Sequence, residues 1–193
     1  GASMAFTNIP TPAQSSTPLI HLVAQEAVEE EALEFIKNLA KTGIGILSTG
    51  EEETRQSAFR ALLHDNFDMK TIGRFALGKY WRTTSKDEQK EYLKLFEDMI
   101  VKVYSRRFGD YNGEELNITT ARKDVLVSSV IIPNSGPQIS VDWRVRKNKS
   151  GKYKVIDIMV EGVSMSLTQR SDFSSVIQRG GGKIDVLLDH LRG

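Results

Sequence analysis

Apolar residues recur every three or four positions from about His21 to Phe108 and every second position after Gly109, so the chain reads as helices followed by strands. A first helix is predicted over roughly Val23 to Leu47, with Val28, Leu33, Ile36, Leu39 and Ala40 inward and Glu29, Glu30, Glu34 and Lys37 outward. Gly43 and Gly45 weaken its end. A second helix from about Thr54 carries Ala58, Phe59, Leu62 and Leu63, and a third segment presents Ile72, Phe75, Ala76 and Leu77. The strongest helix signal begins at Ser85, where Ser85 and Glu88 match the S-x-x-E capping box, each side chain satisfying the other residue's amide. Behind it Tyr92, Leu95, Phe96, Met99, Ile100, Val103 and Tyr104 mark one face of a helix of about 23 residues, roughly 34 Å long.

In the second half Ile139, Val141, Trp143 and Val145 alternate with Ser140, Asp142, Arg144 and Arg146, the pattern of a half-buried antiparallel strand. Leu116 to Ala121 and Val125 to Ile132 read as two more strands, with turn residues at 134–137 and 148–151. The strand from Tyr153 carries apolar residues at both parities, so both of its faces are expected to be covered. A helical stretch near Leu167 to Gln178, a Gly180-Gly181-Gly182 break and a short helix with Ile184, Leu187, Leu188 and Leu191 close the chain. The expected fold is α+β: N-terminal helices and one long amphipathic helix packed on a curved antiparallel sheet, with C-terminal helices.

Composition narrows the function classes. A chain of 193 residues with 39% hydrophobic residues suits one ordinary domain with a real core. Lys plus Arg is 26 against 25 for Asp plus Glu, so the basic excess of a general nucleic-acid binder is missing. The lack of cysteine excludes disulfides, thiolate catalysis and Cys-ligated metals. No run of about 18 apolar residues offers a bilayer-spanning helix. Gly1-Ala2-Ser3-Met4 resembles an expression-vector remnant, and the Pro-, Ser- and Thr-rich stretch to Pro18 reads as a flexible leader; residues 1–20 are set aside and a single domain is expected over 21–193.

Candidate chemistry is sparse. His21, His64 and His190 have no metal-binding spacing, and neither a cofactor nor a metal is expected. Gly162-Val163-Ser164-Met165-Ser166 resembles a nucleophile elbow but lacks its closing Gly and lies in a strand pattern. Asp157 sits in the apolar run Val155 to Val160 and has two readings: a general base in a sheet pocket, acting on a small apolar substrate, or a carboxylate held by hydrogen bonds or an Arg. Arg144, Arg146, Lys147 and Lys149 crowd a hairpin that holds no acid from Arg144 to Lys154. They form either a solvated edge or a docking patch for anionic groups.

One set of residues is specific. Leu77-Gly78-Lys79-Tyr80-Trp81-Arg82, then Gln89, Tyr92 and Phe96, then Tyr104 and Tyr111, resembles the central helix region of the MlaC-type periplasmic phospholipid-binding proteins, the toluene-tolerance or Ttg2 auxiliary family. Val141-Asp142-Trp143-Arg144, Gly151-Lys152-Tyr153-Lys154-Val155, Asp157, Glu161-Gly162-Val163-Ser164-Met165, Phe173, Ile177 and Leu187-Leu188 follow in the family's order, so the resemblance runs from about Leu33 to Leu191. It implies an NTF2-like sheet with added helices and an apolar cavity between the layers. It further implies a carrier, not an enzyme, moving phospholipid across the periplasm between an inner-membrane ABC transporter complex with an MCE-domain subunit and an outer-membrane lipoprotein complex. Family members reach the periplasm by a signal peptide.

Exposing two acyl chains of about 30 methylenes to water costs on the order of 25 kcal/mol, so such a carrier needs a dry apolar hollow. The residues expected to line it are Leu77, Phe96, Met99, Ile100, Val103 and Tyr104 from the helices, and Val130, Ile132, Val141, Trp143, Val145, Ile158, Val160 and Val163 from the sheet. Patterning alone does not separate the hollow from a solid core, because both place apolar side chains at the same positions, and without the resemblance it favours the core.

Overall fold

The computed structural model describes residues 19–48, 50–108, 115–121 and 126–193. The leader, Tyr111, Val125 and the side chains of His21 and Val28 lie outside the described residues. Helices α1 (Leu19–Leu47), α2 (Glu52–Asn66) and α3 (Met69–Leu77), a 3-10 segment (Gly78–Thr83) and α4 (Lys86–Phe108) precede the strands β1 (Glu115–Ala121), β2 (Leu126–Ile132), β3 (Ile139–Lys147), β4 (Tyr153–Val160) and β5 (Val163–Ser164), with α5 (Met165–Arg179) and α6 (Ile184–Arg192) at the end. The architecture is α+β.

Local chemistry fixes the helix ends. The Ser85 amide donates to Glu88 Oε1 at 3.1 Å and the Glu88 amide to Ser85 Oγ at 3.2 Å, so the capping box forms and α4 starts beside it. Asp68 caps α3 by accepting from the Thr71 amide at 3.0 Å. At the far end of α5 the Gly182 amide returns to the Ile177 carbonyl at 2.8 Å, with Gly181 and Gly182 at φ of +86° and +85°. That left-handed backbone favours glycine, which is why the triple-glycine run stops the helix.

The strands form one antiparallel meander in the order β1-β2-β3-β4-β5. One irregularity changes which side chains face inward. Arg144 pairs with Asp157 but Val145 pairs with Val155, so Ile156 is an extra residue and β4 changes parity there. Val155 and Ile158 therefore both meet the interior although they are three residues apart, and the simple two-residue alternation expected for β4 does not hold. The Asp68 amide also donates to the Val155 carbonyl at 3.0 Å, which anchors the α2–α3 junction to the sheet.

Buried side chains fall into two groups. Ala32, Ile36, Leu39, Phe59, Leu62, Leu63, Val101, Val127, Val145 and Val155 join α1, α2 and the sheet. Ala76, Leu77, Tyr92, Phe96, Phe173, Ile177, Leu187 and Leu188 join α3, α4, α5 and α6. Met69 and Ile100 touch both groups. In the second group Tyr92, Phe96 and Phe173 pack with ring centroids 5.8–6.2 Å apart. Tyr92 is wholly buried, and its hydroxyl donates to the Gly73 carbonyl at 2.7 Å. A Cβ on Gly73 would come within 2.7 Å of Leu93 Cδ2 and 3.2 Å of the buried Phe96 ring, so a larger residue there would force a side chain to shift. Two expected inward residues, Phe75 and Val103, are each 40% exposed.

Candidate functional site

A cavity of about 790 Å³ lies between the helices and the sheet and is lined by members of both buried groups. Helix α1 contributes Leu39, Ala40, Gly43, Ile44 and Ile46; α2 contributes Phe59, Leu62 and Leu63; α3 contributes Met69, Ile72 and Ala76. The wall continues with Phe67, with Phe96, Ile100 and Tyr104 of α4, and with Leu116, Ile131, Pro133, Ile139, Trp143, Val155 and Ile158 on the sheet side. Polar side chains are few, and Asp157, Ser166 and Gln169 gather with Met165 where β4 and α5 adjoin.

The expected lining divides cleanly. Phe96, Ile100, Tyr104, Trp143 and Ile158 are on the wall. The first three are spaced by four, so they form one stripe of α4, while Met99 and Val103 belong to the neighbouring stripe and are absent from the wall. Val130 and Ile132 have the opposite parity to Ile131 and are also absent; Ile131 faces the cavity in their place and pairs with Ile139. Leu77 packs in the second core and its neighbour Ala76 reaches the wall instead. Val141 and Val145 are buried but off the wall, as is the half-buried Val160, and Val163 is 58% exposed. The contributions of α1 and α2 were missed because a stripe that lines a hollow has the same spacing as one that fills a core.

Trp143 is held in place at this wall. Its indole Nε1 donates to Ser129 Oγ at 2.9 Å, and the Ser129 hydroxyl donates to the Val141 carbonyl at 2.6 Å. Ser129 is a buried hydroxyl whose polar atoms are thus satisfied.

Asp157 is engaged on both oxygens. Oδ1 accepts from the Ile158 amide (2.8 Å), the Ser166 amide (3.1 Å) and the Ser166 hydroxyl (2.8 Å), while Oδ2 accepts from the Ser164 hydroxyl at 2.5 Å. Ser164 in turn caps α5 by accepting from the Leu167 amide at 3.1 Å. The Gly162–Ser166 segment is therefore a strand-to-helix junction rather than continuous strand, and its serines bind Asp157. The carboxylate is a clamp between β4 and α5.

The basic hairpin is tied to the helix layer at several points. Arg146 lies 3.6 Å from Asp68 and donates to Thr71 Oγ1 at 3.3 Å. Lys147 pairs with Glu31 at 3.2 Å, which holds its ammonium above the usual lysine value. Arg144 and Lys149 are exposed. His64 Nε2 lies 2.7 Å from Glu97, which also meets Arg60 at 3.1 Å. Among the described residues no group of three or more His, Asp or Glu is placed to hold a metal ion, and no helix is long and apolar enough to cross a membrane.

A layer of helices over an antiparallel sheet, with an apolar hollow between them that opens to solvent, defines an α+β cavity protein of the ligand-binding type. Residues 37–193 match the family described as MlaC protein, and the chain belongs to that family. It is 25% identical over 133 residues to the intermembrane phospholipid transport system binding protein MlaC of Haemophilus influenzae, covering 65% of this chain and 61% of that protein. It is 23% identical over 119 residues to the toluene tolerance protein ttg2D of Pseudomonas putida, covering 60% of this chain and 55% of that protein. The chain thus spans less than two thirds of the length of these relatives. Its fold is similar to that of a Ralstonia solanacearum phospholipid-binding protein solved in complex with a phospholipid, with a TM-score of 0.74, 22% identity and coverage of 83% of this chain and 94% of that one.

Proposed function

We propose that this chain is a soluble periplasmic carrier that takes up phospholipid by its acyl chains in the interior cavity, residues 21–193 forming the single lipid-binding domain. The cavity carries this reading. The hollow of about 790 Å³ opens to solvent while its wall is nearly all apolar, so an empty site would leave a large apolar surface facing water. Water is a poor filler, since each molecule wants about three hydrogen bonds and the wall is nearly all apolar. An apolar occupant resolves the conflict, and the names of the relatives point to phospholipid. No reactive group is required.

Delivery would run between an inner-membrane ABC transporter complex with an MCE-domain subunit and an outer-membrane lipoprotein complex, with exposed Arg144 and Lys149 available for docking, and Arg146 and Lys147 at the same hairpin. The competing enzymatic reading of Asp157 is disfavoured by its four hydrogen bonds, which leave the carboxylate occupied as a structural clamp. Organic extraction of the purified protein followed by mass spectrometry tests the proposal. Phospholipid near one molecule per chain is expected; a protein that is empty and also takes none from vesicles defeats it.

A further inference from the structure

Among the described residues four large apolar side chains outside the cavity wall stand open to solvent, and apart from Val103 on α4 they are Phe75 at 40% exposure, Val163 at 58% and Leu167 at 55%. These three belong to one seam. Phe75 is on α3, Leu167 is in the first turn of α5, and Val163 immediately precedes that helix. Arg170, one turn beyond Leu167, bridges the two elements by placing its guanidinium 5.1 Å from the Phe75 ring centroid. A Cβ on Gly78 would come within 2.7 Å of the same guanidinium, so Arg170 also packs on the turn that follows α3.

We propose that this seam docks directly on the surface of an anionic lipid bilayer. Residues 69–86 contain Lys70, Arg74, Lys79, Arg82 and Lys86 and no acid, and residues 162–171 add Arg170 and again no acid. Arg74 lies over Trp81 at 5.9 Å and Lys79 over Tyr80 at 5.3 Å, so the cations and rings are interleaved. Glu161, just before the second stretch, is turned to the Ser140 amide at 2.8 Å. Asp172, two residues past Arg170, projects about 200° around α5 from it.

Cations alone would suit an acidic protein as well as a membrane. The exposed Phe, Val and Leu favour the membrane, because a bilayer interface presents anionic headgroups and an apolar phase at adjacent depths. Helices α3 and α5 also form part of the cavity wall through Ile72, Ala76, Met165 and Gln169. Docking by this seam would hold that wall against the headgroups.

Co-sedimentation of the full chain with vesicles tests the proposal. Binding to phosphatidylglycerol vesicles is expected, weakened at least about tenfold on phosphatidylcholine or when salt rises from about 50 mM to about 500 mM. Leu167→Glu and Arg170→Glu should each weaken binding at least about tenfold, and Lys37→Glu on the exposed side of α1 should not. Val163→Ser and Leu167→Ser remove apolar contact without adding charge and serve if a Glu variant fails to fold. Wild-type protein that ignores phosphatidylglycerol overturns the idea, as does binding unchanged by every Val163 and Leu167 variant. Weakening by Arg170→Glu alone would mean a purely electrostatic contact in which the apolar side chains do not enter the bilayer, and also overturns it. Extracted lipid is measured on the same samples, so an empty cavity is recognised separately from a failure to dock.

Discussion

Trp143 reaches across the inner face of the sheet to Ser129, its indole Nε1 donating a 2.9 Å hydrogen bond to the serine hydroxyl. The bond spans adjacent strands and fixes a large aromatic side chain on the cavity wall. Ser129→Ala leaves that N–H without its partner beside an apolar hollow, so stability should fall by about 1–3 kcal/mol. The chain has two tryptophans, so a Trp81→Phe background makes Trp143 the sole indole reporter. Its emission should shift to longer wavelength when the protein is stripped of lipid. An emission spectrum unmoved by stripping would separate Trp143 from the occupied space.

Adjacent residues of β2 should behave oppositely. Ile131 faces the cavity and pairs with Ile139, whereas Val130 is on the other face of the sheet. Ile131→Glu puts an unpaired carboxylate into apolar surroundings, at about 3–5 kcal/mol, and should reduce extracted lipid to below about a tenth. Val130→Glu is expected to cost about 1 kcal/mol or less and to retain lipid. Equal lipid loss in both would show that the parity of β2 does not decide the site.

This pair also marks where the sequence was and was not legible. The start of α4 could be read because Ser85 and Glu88 complete a cap from neighbouring residues alone. The facing of β2 could not, since Val127, Val130, Ile131 and Ile132 are apolar at both parities and the inward set contains a buried serine. Ser129 contradicts the rule that polar residues face out for a reason that lies on another strand, namely Trp143. In β4, Ile156 looks like ordinary alternation and only the register against β3 reveals it as a bulge. The presence of helices, sheet and turns followed from periodicity; whether their apolar faces meet or stand apart depends on the distance between layers, which no spacing records.

Asp157 is expected to act through stability. Asp157→Asn keeps the shape but removes the charge that Ser164, Ser166 and two backbone amides address, so unfolding should require about 1.5–3 kcal/mol less in a urea titration. Lipid content of the folded fraction should be retained. A variant with unaltered urea midpoint would remove the clamp role.

The buried Tyr92 sets an alkaline limit. Burial raises its phenol well above the ordinary value of 10.0, so the ionised form is far less favourable in the folded chain than in the unfolded one. The stability it contributes is fully present below pH 10 and is lost as pH rises toward the folded value, at up to about 1.4 kcal/mol per pH unit. Tyr92→Phe should flatten this part of the stability profile while costing about 1 kcal/mol at neutral pH for the lost bond to the Gly73 carbonyl. Denaturant titrations of both proteins from pH 7 upward check it, and an identical alkaline slope in the two would exclude Tyr92 as the source.

The close approach of α3 to α4 at Gly73 leaves little room for a side chain. A methyl group at position 73 would stand 2.7 Å from Leu93 Cδ2 and 3.2 Å from Phe96 Cδ1. Gly73→Ala gains helix propensity of up to about 1 kcal/mol, but the overlap forces α3 away from α4 or Leu93 out of its rotamer. Overpacking typically costs about 1–3 kcal/mol, so a net loss of thermal stability is expected. Leu93 is only half-buried and can be shortened, so Leu93→Ala in the Gly73→Ala background should recover part of the loss. Additive penalties in the double-mutant cycle would mean that the helices already have room to separate. In that case the close approach of α3 to α4 does not hold this side of the cavity in place.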